Sequence, residues 1–309
     1  MIESFGIITN CTSRKRVVGE VARVKPSELR GTPREIAARW LAAIAKTLPV
    51  MKVGDLYLGR AMSESRAVAS GLAGSLHVVS AGLGLAARDS DAPTYDLTVV
   101  QGAGSIAPAL AEGGYGPADW WRELNALKGT PLPLSRYINK ATRTRFLVAL
   151  PSAYICMLEH DLERLEDSAL DRMYIFTSRR GAALLASRFW RCVMRYDERL
   201  EGHKRYAGTR SDFPQRAMRH FVEELDGQLL SVESANGAVE RAMAQLKQPV
   251  VPQRVRKTDE EIVGLIRLEW AAYKGSSTRL HRYLRDTALV ACEQSRFRGL
   301  WRQVKAEIL

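Results

Sequence analysis

The sequence predicts an α/β fold, a mostly parallel sheet flanked by helices, followed by a helical region and a three-helix tail. Three observations predict it. Short apolar runs over 6–10, 76–80, 145–150 and 173–177 alternate with stretches of helical period, the pattern of a parallel or mixed sheet. From about Gly181 onward no strand pattern appears. Near 249–257 two prolines and a basic stretch interrupt the helical pattern, and Thr258-Asp259-Glu260-Glu261 restarts it with a strong capping signature.

Each element has its own justification. Residues 6–10 read as a short buried strand ending in polar groups. Thr32 caps a helix over 34–47: Pro33 takes the first turn, Glu35 complements the dipole, and Ile36, Ala37, Trp40, Leu41 and Ile44 recur at helical spacing. A helix over 62–73 leads to the strand 76–80, with Gly82-Leu83-Gly84-Leu85 at its carboxyl end. A short strand is expected over 98–101 and a helix over 120–128, in which Trp120 and Trp121 read as core. Strand 145–150 is followed by a helix over 154–165, whose Glu159, Asp161 and Glu163, with Glu166 just beyond, scatter around the circumference and read as a solvated face. Strand 173–177 runs into Ser178-Arg179-Arg180-Gly181, where helix amides and two arginines suit a phosphate. Helices over 182–199, 212–225 and 228–246 follow. The expected organisation is an α/β domain over 1–180, a helical extension over 181–247, a linker over 248–257 and a helix-turn-helix-like module over 258–309.

Composition limits the function classes. There are 46 Lys and Arg against 34 Asp and Glu, a net charge of +12, so acidic partners lead and nucleic acid leads among them. No run of about 18 uncharged apolar residues exists, so neither a transmembrane helix nor a membrane partner is expected. The N-terminus lacks a basic stretch followed by an apolar one, so no secretory signal is read. Cys11, Cys156, Cys192 and Cys292 are scattered, which argues against a disulfide framework and a zinc site and fits a reducing cytoplasm. His77, His160, His203, His220 and His281 form no metal-binding group, so neither a cofactor nor a protein-bound metal is expected, although carboxylates with a substrate phosphate could still hold magnesium.

The tail reads as a DNA-binding module. Its last two helices carry Arg279, Arg282, Arg285, Arg296, Arg298, Arg302 and Lys305, with Gln294 and Ser295 opening the final helix where base-edge contacts belong. An ordinary helical domain with a solvated basic face is the competing reading. Ser135-Arg136-Tyr137 and Arg143-Thr144-Arg145 are further candidates for lining a DNA groove.

The sharpest signal lies in the first hundred residues. Thr9-Asn10-Cys11-Thr12-Ser13-Arg14-Lys15-Arg16 follows the first strand; Leu56-Tyr57-Leu58-Gly59-Arg60 and Ser80-Ala81-Gly82-Leu83-Gly84-Leu85 come next, and Pro93-Thr94-Tyr95-Asp96 closes the set. Ligands of α/β sheets bind beyond the carboxyl ends of strands. Asn10, Cys11, Ser13 and Lys15 belong to one such end, Ser80 and Gly82 to another. Lys15 and Arg60 suit phosphate, Tyr57 or Tyr95 suits stacking on a base, and glycine permits close backbone approach. The competing readings are a buried Cys11, a solvated basic turn, glycines that serve a tight turn, and an Asp96 that caps one.

Taken together and in this order, these pieces resemble a group of bacterial proteins similar to the uracil-DNA glycosylase-like fold. They also look like the archaeosine synthase module whose Cys-Ser-x-x-Lys-type loop handles a deazaguanine base, and the peroxide-stress DNA-binding family. The resemblance covers about residues 5–100, more weakly to about 180. It lacks the water-activating Asp loop and the His-Ser-Pro signature of standard uracil-DNA glycosylases. It implies a DNA glycosylase that flips a modified base out of duplex DNA, with anti-phage excision of glucosylated hydroxymethylcytosine as the nearest functional analogue. It implies Asp96, Asn10 and Lys15 as catalytic groups, and Cys11, Ser13, Tyr57, Ser80, Gly82 and Tyr95 around base and sugar. Arg60, Arg179, Arg180, Arg279, Arg282, Arg296, Arg298 and Arg302 would contact phosphate or DNA. Alternatives are a tRNA or DNA base transglycosylase or other base-modifying enzyme, a non-enzymatic DNA-binding stress or regulatory protein, and a small-molecule nucleoside enzyme.

Overall fold

The computed structural model describes residues 4–25, 28–100, 102, 104–249 and 252–308. Gln101, which ends the expected short strand, and Val250 and Val251, within the expected linker, lie outside the described residues. The chain divides into two compact units, Met1–Gln248 and Pro249–Leu309.

The first unit begins with β1 (Ser4–Asn10), β2 (Val21–Ala22) and α1 (Pro33–Lys46). β3 (Met51–Lys52), α2 (Val53–Leu56) and α3 (Arg60–Gly71) lead to β4 (Ser75–Ser80) and its hairpin partner β5 (Gly84–Ala87). β6 (Asp91–Ala92) and β7 (Thr94–Tyr95) precede α4 (Ala107–Glu112), α5 (Pro117–Leu127) and α6 (Pro133–Lys140). β8 (Thr144–Ala149) is followed by α7 (Ser152–Met157), α8 (Glu159–Glu163) and α9 (Asp167–Leu170). β9 (Met173–Phe176), α10 (Arg179–Ala183), α11 (Phe213–Glu223) and α12 (Val232–Ala244) complete the unit.

The strand order is β5-β4-β1-β8-β9, parallel throughout except for the antiparallel edge β5. Ile7 pairs with Leu76 on one side and Leu147 on the other, so β1 lies at the centre of the sheet. Strands buried on both faces read as continuous apolar runs, which is why the sequence located them. α1 starts where its capping box dictates, with Thr32 and Glu35 satisfying each other's backbone amides, and buries Ile36, Ala37 and Trp40. α3 packs against β1 and beside α11, which reaches β8 and β9.

That placement corrects the expected boundary at residue 180. Leu185, Phe189, Met218, Phe221, Val239 and Met243 share one core with the sheet, so residues 181–247 are part of the α/β unit, not an appendage. The expected helix over 182–199 is also wrong. α10 stops at Ala183, a 3-10 turn covers Ser187–Cys192, and Met194 donates its amide to Ile175 O at 2.9 Å. Pairing with the exposed edge of β9 outweighs helical period here. Over its described residues the expected strand 98–101 is a single bridge between Thr98 and Ser105, closed by a turn at Gly102 and Gly104. The expected helix over 154–165 breaks at Leu158 into α7 and α8. Asp161 within it is fully buried, not solvated. Its carboxylate accepts from Trp121 Nε1 (2.7 Å), Ser135 N (2.8 Å) and Ser135 Oγ (2.8 Å). Ser135 is therefore a core residue and lines no DNA groove, while Trp120 and Trp121 are core as expected.

The second unit holds α13 (Asp259–Glu269), α14 (Ser277–Asp286) and α15 (Gln294–Ile308) around a core of its own that includes Ile262, Ile266, Leu280, Leu284, Phe297 and Val304. Thr258 and Glu261 form the capping box that the sequence announces. Gly275 (φ +63°) turns the chain between α13 and α14, its amide bonding Trp270 O at 2.9 Å. The expected linker is shorter than 248–257, because Val255 bridges Val290 and Arg254 bonds the Arg285 carbonyl. Connections over 270–276 and 287–293 are longer than the 3–4-residue turn of a helix-turn-helix unit.

Candidate active site

The three motifs of the first hundred residues meet, and backbone pairing brings them together. Beyond β1 the chain runs beside residues 56–58: Arg16 N donates to Leu56 O at 2.8 Å and Leu58 N to Arg14 O at 2.9 Å, a bridge that sets Lys15 opposite Tyr57. Thr12 Oγ1 donates to Leu58 O at 2.8 Å. Further on, β2 pairs in parallel with β7, and Asp96 N donates to Ala22 O at 3.0 Å. The loop after β1 thus carries Tyr57 on one side and Tyr95-Asp96 on the other.

Three hydroxyls close a buried triangle beneath this loop. Tyr57 Oη lies 2.9 Å from Ser80 Oγ and 2.8 Å from Tyr95 Oη, and Ser80 Oγ lies 2.8 Å from Tyr95 Oη. Ser80 Oγ also accepts the amides of Leu83 (2.9 Å) and Gly82 (3.3 Å). Trp120 Nε1 holds Ala81 O at 2.8 Å, Trp40 Nε1 holds Gly82 O at 2.7 Å, and Lys128 Nζ holds Leu83 O, so the turn after β4 is clamped at every carbonyl from 81 to 83. Gly82 is required by packing: a Cβ there would meet Tyr95 Cε2 at 2.6 Å. Burial pushes the Tyr57 and Tyr95 phenols far above their usual value, so both stay neutral.

These positions correct the expected base pocket. Cys11, Tyr57, Ser80, Gly82 and Tyr95 are all buried and form its floor rather than an open lining. Neither tyrosine has a free face for a base, because Trp40 and Tyr57 meet Tyr95 edge-on and Lys15 covers its ring. Cys11 Sγ lies 3.0 Å from Tyr154 Oη, and Tyr154 Oη donates to Cys11 O at 3.0 Å. Asn10 is buried and tied into the strand end: its Nδ2 donates to Cys11 O and its Oδ1 accepts from Gln215 Nε2, each at 2.8 Å, so it braces the carboxyl end of β1. Arg60 is diverted as well, to Glu64 at 2.8 Å and to the Ala207 and Arg205 carbonyls.

What remains at the surface is Lys15 with Asp96. Lys15 is half-buried, its Nζ 4.5 Å from the centroid of the Tyr95 ring and 3.4 Å from Leu97 O. Among the described residues no carboxylate lies within ion-pair distance of it. Burial lowers its pKa from the usual 10.5, and the nearby Cys11 and Asp96 oppose that shift. Asp96 is 48% exposed, and one oxygen lies 3.5 Å from Arg23 Nε. Ser13 projects from the same loop into solvent. Neither a family profile, a curated protein nor a solved structure matches this chain.

Two residues that the sequence reading passed over belong to this region. Gln215, on α11, is fully buried and bridges the carboxyl ends of β1 and β8, donating to Asn10 Oδ1, to Thr9 Oγ1 (3.1 Å) and to Ala149 O (2.9 Å), while its own Oε1 has no partner. No sequence signal marks it. Tyr154 follows β8 closely, and the strand-end rule that singled out Asn10 and Ser80 would have found it.

The other expected phosphate contacts belong to other elements. Arg179 and Arg180 are exposed at the start of α10, where Ser178 Oγ already accepts the Gly181 amide. In the second unit Arg279, Arg282, Arg298 and Arg302 are exposed, with no ion pair among the described residues. Arg296 is spent on Asp259 Oδ1 (2.7 Å) and Lys257 O (2.9 Å) and is no free DNA contact. Gln294 and Ser295 are exposed at the start of α15. Among the described residues no group of His, Cys, Asp or Glu side chains is arranged to hold a metal ion, and no helix is long and apolar enough to cross a membrane.

Proposed function

We propose that this chain is a DNA glycosylase that excises a modified base, with glucosylated hydroxymethylcytosine of phage DNA as the favoured substrate. The observation that carries this reading is that the loop after β1 and the β2–β7 pair bring Lys15, over the Tyr95 ring, and the exposed Asp96 carboxylate to one region above the buried Tyr57–Ser80–Tyr95 hydroxyls. Cleavage of an N-glycosidic bond passes through a cationic, oxocarbenium-like sugar. Asp96 supplies the negative charge that stabilises it, and Lys15 as an ammonium donates a proton to the departing base. A lysine with a lowered pKa is a stronger acid for that step. Water then adds to C1′ and leaves an abasic site.

The base specificity rests on the resemblance of the Cys11-to-Lys15, Leu56-to-Arg60 and Ser80-to-Asp96 motifs to glycosylase-like proteins. Duplex capture is assigned to the unpaired arginines of α14 and α15, in keeping with the net charge of +12. With Tyr57 and Tyr95 sealed, the flipped base lies over the Lys15 loop instead of between the tyrosines.

The experiment is incubation of the purified protein with DNA containing ordinary, hydroxymethylated or glucosylated cytosine. Free base and alkali-labile sites are then measured. Release from glucosylated DNA supports the reading, and release from none of the three by folded protein removes it.

A further inference from the structure

We propose that Lys15 is also a nucleophile that forms an imine with an abasic deoxyribose, giving the chain a strand-incising lyase activity. The inference rests on the glycosylase reading and extends it to what happens after base release.

The argument starts from how cationic side chains are held in this molecule. Arg216, fully buried, is paired with Asp212 at 2.6 Å and Glu201 at 2.7 Å. Arg219 takes Glu64 and Glu223. Lys15 lies on an aromatic ring with one weak carbonyl contact, and the carboxylate nearest in sequence to that ring, Asp96, is engaged by Arg23 instead. Half-burial without a carboxylate at ion-pair distance makes this ammonium give up its proton more readily than a paired one, against the attraction of the ring, and a neutral amine is the species that attacks a carbonyl. Tyr95 gives the Lys15 amine a held platform, since the Nζ lies over a ring whose hydroxyl bonds Tyr57 and Ser80.

The step balances as written. An abasic deoxyribose opens to an aldehyde at C1′. The Lys15 amine adds to that carbon, and the carbonyl oxygen leaves as water with one proton from the amine and one from solvent, which gives an iminium. Asp96 accepts a proton from C2′, and the electron pair released expels the 3′-phosphate. Water then hydrolyses the imine, regenerating the amine and leaving an unsaturated aldehyde on the cut strand. No oxidant, reductant or metal is required.

The test uses the full chain and a duplex carrying one preformed abasic site, so that base excision is not needed. Borohydride reduction in the presence of protein converts any imine to a stable amine. The expected result is a covalent protein–DNA band whose digestion maps the deoxyribose to Lys15 by mass spectrometry. Lys15→Ala and Lys15→Arg both lose that band; the arginine variant keeps a cation over Tyr95, and its thermal unfolding confirms that the fold is intact. A band that persists in Lys15→Arg, a deoxyribose mapped to another amine, or no band with wild-type protein overturns the proposal. Base release without trapping removes the lyase and leaves the glycosylase. Trapping on Lys15 without base release from any modified DNA removes the glycosylase and leaves the imine chemistry.

Discussion

Ser80 Oγ is the shared partner of Tyr57 and Tyr95, 2.9 and 2.8 Å from their hydroxyls, and it is wholly buried. Residues from three separate motifs therefore depend on one oxygen. Ser80→Ala leaves two phenols and the amides of Gly82 and Leu83 short of a partner. Each orphaned group costs about 1–3 kcal/mol, partly relieved because the phenols still bond each other, so a loss of about 2–3 kcal/mol is expected. Urea unfolding measures it, and a loss below about 0.5 kcal/mol contradicts the hydroxyl network.

Asp161 gives a second stability test, outside the hydroxyl triangle. Its buried carboxylate accepts from Trp121 and twice from Ser135. Asp161→Ala strands these donors and is expected to cost about 3 kcal/mol or more in urea unfolding. Asp161→Asn costs less, since it keeps one accepting oxygen.

Gln215→Glu tests the closure of the β1–β8 crevice. The glutamine amide donates to Thr9 Oγ1, Asn10 Oδ1 and Ala149 O, so a carboxylate there faces two carbonyl oxygens it cannot bond and the Thr9 hydroxyl as its one possible donor among these three. A buried, unpaired charge at this position lowers the melting temperature, and more so at pH 8 than at pH 5, where the acid is more readily protonated. Equal losses at the two pH values contradict the donor assignment.

His220 links stability to pH. Burial, aided by His203, lowers its pKa from the usual 6.5 to about 4, and Tyr196, Tyr206 and Glu224 are the other titratable groups facing it. The folded state keeps the ring neutral while the unfolded chain takes a proton below 6.5. Its stabilising contribution is thus complete above pH 6.5 and is lost as pH falls towards 4. Urea midpoints measured across that window should fall, and His220→Phe should flatten the fall.

The strands and α1 were legible in the sequence because burial on both faces writes continuous apolar runs and a capping box writes its own start. The helix expected over 182–199 does not form because Met194 pairs with the β9 edge, a tertiary contact that no local period encodes. The site was half legible. Its motifs do assemble, but whether a tyrosine faces ligand or core depends on hydroxyl partners on distant strands, and the sequence places Tyr57 and Tyr95 only at a strand end. Gln215 was invisible because its role comes from the packing of α11 across β1 and β8.

Changing Arg279, Arg282, Arg298 and Arg302 together to Gln tests the basic tail. Each phosphate contact contributes a slope of about −0.9 in log affinity against log salt. The quadruple variant should bind duplex DNA more weakly, with a slope shallower by up to about 3–4. An unchanged slope means that the tail does not hold phosphate.

The most direct measurement for the account as a whole is single-turnover release of glucosylated hydroxymethylcytosine from duplex DNA by wild-type protein and by Asp96→Asn. The account predicts release by the wild type and a loss of about 100-fold or more in the variant, because the sugar cation forms without its carboxylate. Equal rates in the two proteins would contradict the role of Asp96, and no release by the folded wild type would contradict the glycosylase itself.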